Sequence, residues 1–174
     1  MALSAKERKQ KQLAREQEAL RISKDRTYPY LPTPFYKHLE NNGNWSSVTL
    51  CFDLMGIDPP EFLDDRGPAE FADDACFSTD KDRDEAFQSS EKSIGRAEVM
   101  VDLLFDAGME LALIINKFKK AELQNRRAEL EDVDMSDPGN RKEALETAAT
   151  IAKLLEELEK NVRRTVPQWR VKTL

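Results

Sequence analysis

The sequence predicts an all-α protein: a long antiparallel helical hairpin with short N-terminal helices and an acidic irregular loop. Three observations predict it. Apolar residues in the second half recur every three and four positions over some seventy residues. Helix start and stop signals occur in the right order at several points. The N-terminal segment is free of Gly and Pro and rich in strong helix formers.

Residues Ser4 to about Ser23 supply that first helix, composed largely of Ala, Leu, Gln, Glu, Lys and Arg. Its apolar stripe of Leu3, Leu13, Ala14, Leu20 and Ile22 is thin, so a solvated arm is expected. Tyr28-Pro-Tyr-Leu-Pro-Thr-Pro-Phe reads as an extended linker, because a residue before proline is pushed out of the α region. Thr33 as N-cap, Pro34 at the first helical position and Gly43 as terminator predict a short helix around Phe35–Leu39. Val48-Thr-Leu-Cys-Phe could form a buried strand. A helix is preferred, with Ser46 or Ser47 capping it, Val48, Cys51, Phe52 and Met55 sharing a face, and Gly56-Ile57 ending it.

Between Asp53 and Glu85, twelve Asp or Glu residues meet three bases, a local charge of −9. Phe62, Phe71 and Phe77 punctuate this stretch as candidate anchors or as a partner-docking loop. A long helix is then predicted from Ser93. Ile94, Ala97, Val101, Leu104, Gly108, Leu111, Ile115 and Phe118 form one stripe, continued by Leu123 and Leu130. Met100, Leu103, Ala107 and Ile114 form a second face, so this helix needs two neighbours. A break is placed at Asp132 to Pro138, where Asp137 can cap the next helix. Ala144, Ala148, Ile151, Leu155, Leu158 and Val162 give the returning stripe, ending at Val166-Pro167. The expected organisation is a basic arm over 1–26, short helices with the acidic loop over 27–92, and the hairpin with its tail over 93–174, with 27–174 as one globular unit.

With 34% charged residues, a net charge of −6 and no secretory signal or membrane-length apolar run, the chain reads as a soluble cytoplasmic protein. Cys51 and Cys76 are not in C-x-x-C spacing and are expected to be free, buried thiols.

Few motifs point to chemistry. Asp80 to Glu91 places carboxylates as a twelve-residue EF-hand calcium loop does, but Glu85 stands where that loop turns on Gly, and solvated acids are the simpler reading. Lys6, Arg8, Lys9, Lys11 and Arg15 in the arm, with Arg163, Arg164, Trp169 and Arg170 near the C-terminus, could meet phosphates and stack a base. Interleaved Glu7, Glu16 and Glu18 oppose this, and basic residues near a helix C-terminus need no ligand to be favoured. His38 is the only histidine, and no phosphate loop, nucleophile elbow or zinc motif occurs. No metal or cofactor and no enzymatic activity are expected.

Ser4 to Leu13, Tyr28 to Phe35 and Val166 to Val171 resemble in style segments of small helical proteins of bacterial prophages and plasmids. That resemblance implies a non-enzymatic regulator acting on the host or on the element's own DNA. The preferred expectation is a regulatory or inhibitory protein that binds a host protein as a homodimer. The alternatives are a DNA-binding regulator and a calcium-binding helical protein.

Overall fold

A computed structural model describes residues 4–131 and 136–172, and over these the protein is all-α. The α-helices among the described residues are α1 (Ala5–Ile22), α2 (Phe35–Leu39), α3 (Trp45–Met55), α4 (Asp80–Phe87), α5 (Lys92–Glu131) and α6 (Pro138–Leu158). Two compact units divide the chain, one of residues 1–102 and 168–174 and the other of residues 103–167. The division therefore falls within α5 rather than ahead of it, and the C-terminal tail belongs with the first unit.

In the first unit, α1 starts from a reciprocal capping box in which Ser4 and Glu7 satisfy each other's backbone N–H. The first turn of α2 differs from expectation: Pro34 is its N-cap residue, with extended backbone, and Thr33 makes no cap. Residues 45–55 are helical, so the strand alternative does not form. Asn44 rather than a serine precedes α3, and Ser46 Oγ donates to the Gly43 carbonyl. Gly56 ends α3 at φ 69°, a left-handed position that glycine adopts without a side-chain clash, and Ile57 N–H closes onto the Phe52 carbonyl at 3.0 Å. On the expected apolar face only Phe52 is buried; Val48 and Met55 are exposed.

The acidic stretch is better ordered than its composition suggests. Thr79 caps α4 through Asp82 N–H, so Asp80 to Phe87 is helix and does not form the calcium loop. The reason is local: eight residues without Gly or Pro follow a good cap, and nothing supplies the φ > 0 turn. Phe62 stands edge-on to Phe35 at 5.8 Å and to Trp45 at 5.7 Å, tying the loop to α2 and α3. Phe77 packs edge-on to Phe87 of α4 at 5.8 Å. Asp65 satisfies the start of α5 from 28 residues upstream, accepting from Ser93 N–H and Ser93 Oγ, and Ser93 is fully buried.

The second unit has a small core in which Leu130, Ala144 and Ile151 are buried and Leu123, Ala148 and Leu155 pack around them. Asn116 Nδ2 donates to the Leu158 carbonyl at 2.8 Å, and Lys120 pairs with Glu159 at 2.8 Å. Asp137 caps α6 through Asn140 N–H, with Pro138 at its first position; residues 132–135 of the expected break lie outside the described residues.

The extent of α6 is corrected. At ~1.5 Å per residue the 40 residues of α5 span about 60 Å and the 21 of α6 about 32 Å. Helix α6 stops at Leu158 instead of Val166, since Asn161, Val162, Thr165 and Val166 propagate helix poorly and Pro167 forbids it. Leu104, Leu111, Ile115 and Phe118, expected to face α6, are exposed, because at ~100° per residue they lie off the side of α5 on which Asn116, Lys120 and Leu123 meet α6. Cys51 and Cys76 are free as expected but exposed, because neither faces the side of its element that packs.

Candidate functional site

The first unit contains a buried polar cluster that ties the C-terminal tail in place. Asp25, 3% exposed, accepts from Thr27 N–H and Oγ1 at 2.7 and 2.6 Å, and its other oxygen accepts from Val171 N–H at 2.6 Å. Arg26 N–H returns a bond to the Val171 carbonyl at 3.0 Å. Arg170 Nε donates to Glu98 at 3.1 Å, and its other nitrogens reach Asp102 and Ser90 Oγ. Tyr28 Oη donates to the same Glu98 oxygen at 2.7 Å. Glu98 is therefore paired with Arg170, and Asp25 is hydrogen-bonded through both oxygens, conditions under which buried charges are tolerated.

This electrostatics shifts the titrations in separable ways. Burial pushes the Glu98 carboxyl above the usual carboxylate range, against the hydrogen bonds from Tyr28 and Arg170 and the attraction of Arg170. Burial also pushes the Tyr28 phenol far up, reinforced by its bond to Glu98, so it stays a donor. For Asp25, burial acts upward, yet Thr27, Val171 and Arg170 together hold the carboxyl below its ordinary value. Lys172 is lowered by burial and by the neighbouring Arg170.

Beside the cluster lies an open cleft of about 650 Å³, walled by Tyr28, Phe35 and three prolines, with His38, Lys92 and the Lys24–Glu91 ion pair at its polar edge. Lys92 sits at φ 61°, where a Cβ is disfavoured, and opens α5 from that strained backbone. His38 Nε2 lies 3.1 Å from Asn42 Nδ2, and neither cysteine lines the cleft, so a Cys–His pair is not assembled there.

The nine basic and aromatic residues singled out from the sequence are divided between the units. Lys6, Arg8, Lys9, Lys11 and Arg15 are exposed along α1 and belong to the first unit. Arg163 and Arg164 are exposed and fall in the second unit. Trp169 and Arg170 return to the first, where the Arg170 guanidinium is held by Glu98 and Asp102; a phosphate would have to displace both. Of the three phenylalanines, Phe62 and Phe77 serve the chain's own packing. Phe71 lies under the Arg96 guanidinium at 3.5 Å and that of Arg66 at 4.7 Å, and remains 42% exposed.

Two exposed apolar surfaces stand out, the first of which sequence reasoning missed. One is the outer side of α3 and its exit, where Leu50, Leu54, Met55 and Ile57 stand exposed beside Asp53 and Asp58. The other is the middle of α5, where Leu103, Leu104, Leu111, Ile114, Ile115 and Phe118 are each 44–63% exposed. Periodicity revealed the second as an apolar face, while on α3 it singled out Val48, Cys51, Phe52 and Met55 instead. It could not reveal that nothing within the described chain covers either surface.

No protein-family model matches the chain, and no curated protein or solved structure is significantly similar to it. Among the described residues no helix is long and apolar enough to cross a membrane.

Proposed function

We propose that this chain is a non-catalytic regulatory or inhibitory protein of a mobile genetic element that acts as a homodimer and binds a host protein through its helical surfaces. The observation that carries this reading is the pairing of exposed large apolar side chains with carboxylates on α3 and its exit: Leu50, Leu54, Met55 and Ile57 beside Asp53 and Asp58. Such a surface suits a partner with a basic, apolar-bearing face, since charge complementarity speeds and orients encounter while buried apolar groups hold the complex. The three bases of the acidic stretch are engaged internally, Arg66 with Asp64, Arg83 with Asp74 and Asp80, and Lys81 with Glu85, which leaves the stretch its net negative field.

The test is capture from nuclease-treated host lysate by the intact chain and by Leu54→Asp, whose side chain is 79% exposed and so is replaceable without unfolding α3. One host protein retained by the first and lost by the second, with equal circular dichroism, supports the reading. Equal capture by both variants contradicts it.

A DNA-binding regulator is the second reading, favoured by the exposed bases of α1. It requires DNA affinity that falls steeply with salt and disappears in Lys9→Glu plus Lys11→Glu. Salt-independent binding, or none, removes it.

A further inference from the structure

The homodimer in that reading can be given a surface, a register and a direction. We propose that Leu104, Ala107, Leu111, Ile114, Phe118 and Ala121 of α5 form a two-stranded antiparallel seam with the same residues of a second copy. All six lie in the second unit and succeed one another at spacings of three and four residues, the a and d positions of a coiled coil. At ~100° per residue they occupy the side of α5 away from Asn116, Lys120 and Leu123, the residues that meet α6. The four large side chains among them are 48–63% exposed.

Size selects the direction. Pairing Leu111 with Ile114 of the second copy in antiparallel register sets Phe118 against Ala107 and Leu104 against Ala121. Every layer then joins a large side chain to a smaller or equal one. A parallel pair would instead set Phe118 on Phe118 and Ala107 on Ala107, crowding one layer and leaving another hollow. The flanks agree. On one side Gly108, whose missing Cβ would meet no atom within 4 Å in the single chain, comes opposite Ile115. On the other, Glu110 comes opposite Lys117, and the two-fold axis makes this pair twice. With Leu103 and Ile115 included, the exposed apolar area is on the order of 600 Å² per copy, close to the ~800 Å² per partner of a standard interface, before the polar flanks are counted. A segment that is self-complementary in size, charge and area calls for a second copy of itself rather than a foreign chain.

The inference rests on the reading of the chain as self-associating, and concerns residues away from α3, so host capture and dimerisation are scored separately. Association of the full chain is measured for Glu110→Lys, Lys117→Glu and the double exchange. Each single change places like charges opposite one another twice and weakens association about tenfold, and the double exchange restores it. Direction is read by spin labels at Arg127→Cys in a Cys51→Ser, Cys76→Ser background. Rise per residue predicts a separation of roughly 40 Å between labels in the antiparallel pair, against roughly 15 Å in a parallel one. A short distance, absence of rescue, or a monomeric chain overturns the proposal.

Discussion

Arg170 shows how a single side chain near the C-terminus organises a unit built mostly from the first hundred residues. Its guanidinium is the counter-charge of Glu98, which is 5% exposed, and it also reaches Asp102 and Ser90. Truncation to Ala leaves Glu98 buried with only Tyr28 as partner. Breaking one side of such a pair is expected to destabilise the fold by about 3 kcal/mol, measured by urea unfolding; a loss within experimental error would contradict the cluster's role. Acid dependence separates the two buried carboxylates. Glu98 has a folded pKa raised above 4.5, so its contribution is full below that value and is lost as pH rises through the folded pKa. Asp25 has a folded pKa lowered from 3.8, so its contribution is full above that value and is lost as pH falls through the folded pKa. Glu98→Gln should remove the decline of stability above pH 4.5 and leave the acid-side loss, whereas an unchanged pH profile would refute this assignment.

Helices α5 and α6 show what an apolar period does and does not specify. The seam between them depends on a few residues, with Ile151 and Ala144 each 4% exposed beside Leu130. Ile151→Ala should cost roughly 2–4 kcal/mol and reduce the helical signal of α6, and a thermal midpoint unaltered by the substitution would show that this seam is not the core of its unit. Helix existence was legible because caps and breakers are local: Gly56 after α3 and Asp137-Pro138 before α6 act within one turn. Partnership was not legible. Leu104, Leu111 and Phe118 run into Leu123 in the apolar spacing, but the five-residue step from Phe118 turns Leu123 to the opposite side of α5, and only that side meets α6. The acidic stretch failed for the opposite reason. Its carboxylates were read as a loop, while the local Thr79 cap makes residues 80–87 helix; the anchoring expected of Phe62 and Phe77 is met by Phe35, Trp45 and Phe87.

At the scale of the whole molecule the exposed surfaces are divided between the two units. The acidic stretch and the exposed side of α3 belong to the first unit, and the bare middle of α5 to the second. Of the nine basic and aromatic residues chosen from sequence, Arg170 has a clear structural role, because a positive charge read in isolation carries no information about the buried carboxylate that it neutralises. That the chain associates with itself through α5 is the claim on which the proposed homodimer turns. Sedimentation equilibrium of the intact chain tests it most directly: the chain should sediment at twice its 19.9 kDa mass, and Ile114→Asp, at a 61% exposed position, should return it to a single copy without loss of helicity. A mass of one copy for the unaltered chain at concentrations on the order of 100 μM, a free energy of association weaker than about 5.5 kcal/mol, would contradict it.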